Sequence, residues 1–101
     1  MLKKKIKTIK LFKALSNPSR YRIIKLLYEK SMTAGELKKE IRKTKSATSQ
    51  HLRLLKNLDL LKYYMKGNEV IYELKKSKIP NFIMEIEEYY LRIQNKNRQQ
   101  V

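Results

Sequence analysis

The sequence predicts a mainly α fold with one small β-hairpin, an α+β chain in the order helix, helix, helix, helix, hairpin, helix. Three observations predict it. Apolar residues recur at steps of three and four in five separate segments. A Gly-Asn pair at 67–68 has alternating residues on both sides, the mark of two strands joined by a tight turn. Two Gly and two Pro among 101 residues leave few sharp turns between long helices.

In the first helix, Leu2, Ile6, Ile9, Phe12 and Leu15 describe one apolar face, and Lys3, Lys4, Lys7, Lys10 and Lys13 the other. "SNPSR" then stops one helix and starts the next. Asn17 suits an N-cap, and Pro18 suits the first helical position, where a missing N–H costs nothing. Ile23, Ile24, Leu27 and Tyr28 give the second helix its stripe.

"TAGE" reads as a capping box between Thr33 and Glu36, opening a short third helix in which Leu37 and Ile41 face the core. "RKTK" is a tight connection into "KSATSQHLRLLKNLDLL". Thr44 or Ser46 can cap this fourth helix. Thr48, Leu52, Leu55 and Leu58 share one side of it, and Lys45, Ser49, Gln50, Arg53, Lys56 and Asn57 the other.

The period then changes to two. Leu61, Tyr63 and Met65 form the expected core side of the first strand, with Lys62, Tyr64 and Lys66 opposite; Val70, Tyr72 and Leu74 alternate in the second. Pro80 sits near the start of a last helix with Phe82, Ile86, Tyr89, Tyr90 and Ile93 on one face, and the polar tail "NKNRQQ" is expected to fray. No internal repeat or flexible linker divides the chain, so residues 1–101 read as one domain. Segment 33–57 is a helix-turn-helix and 61–75 a wing, which makes the architecture a winged helix-turn-helix. Helices 2–15 and 80–96 are the expected dimerisation elements.

Composition narrows the function. The chain has 25 Lys plus Arg against 9 Asp plus Glu, a formal net charge of +16. That exceeds what solubility needs and attracts polyanions. With no cysteine, disulfide scaffolds, thiolate metal sites and cysteine nucleophiles are excluded. There is no Gly-rich phosphate loop, zinc-protease pattern or triad, so no enzyme activity is expected. The opening "MLKKKIKTIKLFKAL" lacks a continuous apolar stretch and a small-residue cleavage site, which argues against a secretory signal. No run approaches the ~18 uncharged apolar residues of a membrane span. The expected location is the cytoplasm, with no membrane partner.

The polar end of the fourth helix has the chemistry of a helix that enters a major groove. Short hydrogen-bonding side chains let the backbone come close, and the N-terminus favours nearby phosphate. Ser46, Ser49 and Gln50 meet that need, with Arg53 one turn on; Gln can pair with adenine and Arg with guanine. Lys45, His51 and Lys56 complete the DNA-binding set on this helix, and Lys62, Lys66 and Asn68 on the wing would touch phosphates or the minor groove. His51, the one histidine, suits helix packing or a phosphate contact. The lysine face of residues 3–13 reads first as a solvated face, with a DNA or membrane-surface role open. Glu85, Glu87 and Glu88 read as salt-bridging surface acids, and Tyr64 as the tyrosine most open to contact.

"LFKALSNPSRYRIIKLLYE" resembles the opening of ArsR-type winged-helix repressors, in which Leu-Ala-(Asp/Asn)-Pro-x-Arg precedes an apolar helix. "ATSQHLRLLKNLDLL" is similar to their recognition helix and "KYYMKGNEVIYEL" to their wing, so the resemblance covers roughly residues 9–75. It implies a symmetric homodimer joined by the first and last helices, repressing transcription at a palindromic operator on double-stranded DNA. Ile6, Ile9 and Phe12 with Phe82, Ile86, Tyr89, Tyr90 and Ile93 would form the seam. Many members sense metals through a Cys-x-Cys-like pair on the third helix or through His and Asp on the last. Here the third helix reads "TAGELKKEI", and the last carries glutamates without His, so neither metal nor cofactor is expected. Asp59 stands where the family often has Gly. The alternative from charge alone is an architectural protein that coats DNA without sequence preference.

Overall fold

The computed structural model describes residues 2–99. Its elements are α1 (Leu2–Leu15), α2 (Pro18–Glu29), β1 (Met32–Thr33), α3 (Ala34–Ile41), α4 (Lys45–Asn57), β2 (Leu61–Lys66), β3 (Glu69–Leu74) and α5 (Ile79–Gln99).

The helix starts follow local chemistry. Asn17 Oδ1 accepts from the Arg20 N–H at 3.1 Å, with Pro18 next in the chain. Thr33 Oγ1 accepts from the Glu36 N–H at 3.1 Å, while Glu36 Oε1 accepts from the Thr33 N–H at 2.9 Å. Those bonds to Thr33 hold the Glu36 carboxyl below its ordinary range. Thr44, rather than Ser46, caps α4, accepting from the Ala47 N–H at 3.0 Å.

Two helix ends use left-handed backbone without glycine. Arg42 (φ 56°) closes α3 inside the helix-turn-helix. Asp59 (φ 65°) follows α4: its N–H donates to Lys56 O at 2.9 Å and the Leu60 N–H to Leu55 O at 3.1 Å. This is the Schellman arrangement, and its accompanying apolar contact is supplied by Leu55 and Leu60, both buried.

The core is one cluster. Ile23, Ile24 and Leu27 of α2, Leu37 and Ile41 of α3, and Leu52 and Leu55 of α4 pack with Met32, Leu60 and Leu61. Thr48, 2% exposed, is tolerated there because its hydroxyl donates to Thr44 O at 2.8 Å. Tyr28 does not continue the α2 stripe inward; it lies exposed, and its hydroxyl donates to Asn81 Oδ1 at 2.9 Å.

The sheet is antiparallel and three-stranded, in the order β1-β3-β2. Leu61 pairs with Leu74 and Lys66 with Glu69, so the turn is the two residues Gly67 and Asn68, with Gly67 at φ 62°. β1 adds Met32 opposite Tyr72 and Thr33 opposite Ile71. The sequence gives no sign of this strand, because two residues are too few to display a period. Of the expected core side of β2, only Leu61 is buried. Tyr63 and Met65 are exposed, because the hairpin projects past the body it springs from.

α1 and α5 each present two apolar edges rather than one. Leu11, Ala14 and Leu15 of α1 and Ile79, Ile83 and Met84 of α5 turn toward their own body. Ile6, Ile9 and Phe12, and Phe82, Ile86, Tyr89, Tyr90 and Ile93, remain exposed. α5 is held to α2 by Glu87, whose carboxylate accepts from Lys25 Nζ and from the Tyr21 hydroxyl, both at 2.8 Å. The Lys25 bond, then the Tyr21 bond, lowers the Glu87 pKa; burial, then Glu87, pushes the Tyr21 hydroxyl up to about 12. Helical backbone continues to Gln99, through most of the polar tail; Gln100 lies outside the described residues.

Candidate nucleic-acid interface

The buried stripe of α4 fixes which side of it faces outward. With Thr48, Leu52 and Leu55 inward, Ser46, Ser49, Gln50, Arg53 and Asn57 fall on the opposite side, all exposed. Lys45 and Lys56 flank them and are exposed too. Arg53 joins none of the ion pairs among the described residues. This helix therefore holds out a short, polar, uncompensated surface anchored from behind by leucine.

His51 lies at the border, half-buried. Its Nδ1 stands 3.2 Å from Arg20 Nη1, and Arg20 Nε donates to Ala14 O at 2.9 Å. An arginine has donors only, so Nδ1 is the acceptor and the ring proton sits on Nε2. Burial, then the charges of Arg20 and Lys43, depress the His51 pKa. Arg20 thus joins the candidate site, a role that periodicity and motif do not reveal. Its position three residues after the N-cap was legible; its reach to the recognition helix was not.

On the wing, Lys62 pairs with Glu73 of the neighbouring strand at 3.1 Å, which leaves its charge partly satisfied. Lys66 and Asn68 stand exposed at the tip. Lys56 Nζ lies 4.3 Å from the centroid of Tyr63, tying the flank of α4 to the wing. Tyr64 points away from the core side and is exposed.

Other chemistry is missing from the described residues. They contain no group of three His, Cys, Asp or Glu placed to hold a metal ion. No helix is long and apolar enough to cross a membrane.

A helix-turn-helix with an exposed polar recognition helix and a basic hairpin beside it defines a winged helix-turn-helix DNA-binding protein. Known proteins agree. The model of the bacterial regulatory protein arsR family matches residues 17–63, from the α2 cap into β2. The transcriptional repressor SdpR of Bacillus subtilis is 36% identical over 63 residues, spanning 62% of this chain and 70% of the repressor. The transcriptional activator HlyU of Vibrio cholerae is 30% identical, spanning 82% of this chain and 77% of HlyU. Its reduced form superposes with a TM-score of 0.76 over 89% of this chain and 95% of its own. The homodimeric winged helix-turn-helix domain of Mb0332 from Mycobacterium bovis, 17% identical, shares the fold at a TM-score of 0.81, over 89% of this chain and 83% of that domain.

The chain belongs to the ArsR family of transcriptional regulators. It is a DNA-binding regulator and not an enzyme.

Proposed function

We propose that this regulator reads sequence, and that it does so as a homodimer on a palindromic operator, where it acts as a repressor. The observation that carries the proposal is the division of α4: Thr48, Leu52 and Leu55 are buried, while Ser46, Ser49, Gln50 and Arg53 stand clear of the body. Gln50 and Arg53 bring the amide and guanidinium that pair bidentately with adenine and guanine edges. Lys45, Lys56, Lys66 and Asn68 bring phosphate contacts from the helix flank and wing tip.

Dimerisation is supported by the exposed apolar edges. Phe12 is 65% and Ile86 67% exposed, although both lie in regular amphipathic helices. Large apolar side chains presented in rows of this kind mark an interface. Joining two copies along α1 and α5 would set the recognition helices about 34 Å apart, or a multiple of that, matching successive turns of one DNA face. Repression rests on the likeness to SdpR.

The test is selection of bound fragments from a random duplex pool, with gel filtration of the free protein. An enriched inverted repeat bound by a dimer supports the reading. The +16 charge favours a second one, architectural coating of DNA, for which the selection would return no motif and footprints would be uniform.

A further inference from the structure

α1 carries Lys3, Lys4, Lys5, Lys7, Lys10 and Lys13 and no acidic residue. Solvated helix faces ordinarily interleave acids at i±4, where they offset the lysines. Here Lys3 and Lys7 repel at that spacing, and Lys3, Lys4 and Lys5 oppose the helix dipole in its first turn. None of these lysines joins an ion pair among the described residues. The helix thus stores repulsion that a polyanion would relieve.

Position says where that polyanion lies. Lys7, Lys10 and Lys13 line a groove of about 900 Å³ with Leu54 and Asn57 of α4. Leu54 and Asn57 flank the outward side of the recognition helix, on the side away from Lys56 and the wing. The acid in this groove, Asp59, is already paired with Lys75 at 2.9 Å. Ile6, Ile9 and Phe12 on the same helix belong to the proposed dimer seam. With that seam, α1 would lie between the recognition helix and the dimer axis.

We infer that Lys7, Lys10 and Lys13 form a second DNA contact, seated on the phosphates at the centre of the operator, between its half-sites. This rests on the dimeric, operator-binding reading above. It divides the work on DNA in two: α4 and the wing read each half-site, and the paired α1 helices clamp the stretch between them. The clamp is indifferent to base sequence but sensitive to the length and groove width of the operator's middle.

The experiment uses the full chain on its selected operator. The triple substitution K7Q/K10Q/K13Q keeps good helix formers at exposed positions. It should lower the slope of log affinity against log salt by up to about 5 per dimer, for six lost phosphate contacts. Hydroxyl-radical protection at the operator centre should vanish while half-site protection stays. Ethylation interference with the unaltered protein, which needs no variant to fold, should show the central phosphates to be required. An unchanged slope and centre, or central phosphates that tolerate ethylation, overturns this inference alone. Binding of anionic vesicles through these lysines, with no effect of the substitutions on DNA, overturns it in favour of a membrane surface. Failure of the unaltered protein to bind any duplex at low salt sinks the operator reading and this inference with it.

Discussion

Arg20 holds His51 at 3.2 Å while its Nε donates to the carbonyl of Ala14. One guanidinium thus joins the end of α1, the start of α2 and the recognition helix. A protonated His51 would face that guanidinium, with Lys43 adding to the repulsion. Its folded pKa is depressed, so between that value and the ordinary histidine range the unfolded chain binds more protons. The stabilisation is complete above about 6.5 and is lost as pH falls through the folded value. Urea unfolding at steps from pH 7.5 to 5 should show this decline, and His51→Gln should flatten it. The carboxylates of Glu36 and Glu87, also depressed, keep their full stabilisation down to the ordinary carboxylate range and lose it only as pH falls below that, so the two effects separate on the pH axis. An equal slope in both proteins would remove His51 from the account.

Arg53→Ala and Gln50→Ala should each reduce discrimination between operator and single-base variants by about 1–3 kcal/mol per lost bidentate contact. Stability should change little, because both side chains are exposed. Competition binding at one fixed salt concentration measures this. Equal weakening on operator and random duplex would mean these residues hold phosphate rather than read bases.

Thr33→Ala removes the hydroxyl that accepts from the Glu36 N–H, one half of the capping box that opens α3, and should destabilise the domain by about 1 kcal/mol. Thr33→Ser keeps the hydroxyl and should recover most of that loss. Thermal unfolding of the three proteins decides it.

Gly67→Ala isolates a backbone effect. A Cβ there would meet nothing within 4 Å, yet φ is +62°. The whole penalty, about 1 kcal/mol, therefore comes from placing a side chain in left-handed backbone. Hydrogen exchange should report faster opening of β2 and β3, with the α2–α4 core little changed. Uniform destabilisation would show that the wing and body unfold as one unit.

The helix starts were legible at Asn17 and Thr33, and at α4 to within Thr44 or Ser46, because a short polar side chain meets the N–H groups of the first turn. The hairpin was legible at Gly67-Asn68. Both kinds of signal act over three or four residues, and the chain carries them whatever it packs against. The outward residues of the recognition helix were legible for the same reason: placing Thr48, Leu52 and Leu55 inward forces Ser49, Gln50 and Arg53 outward.

Harder to read was anything set by distant partners. β1 exists because Met32 and Thr33 meet Tyr72 and Ile71, some forty residues on. Glu87 reads as a salt-bridging acid from the sequence, but its partners, Lys25 and Tyr21, are set by the fold.

From the sequence alone came the number of helices, the caps of α2 and α3, the turn and the polarity of α4, since each depends on neighbours along the chain. Only the tertiary structure decided which apolar edge of α1 and α5 turns inward, how far the wing stands off the core, and that Arg20 reaches His51. Those follow from where separate elements meet in three dimensions, and periodicity carries no information about which of two similar edges another element will cover.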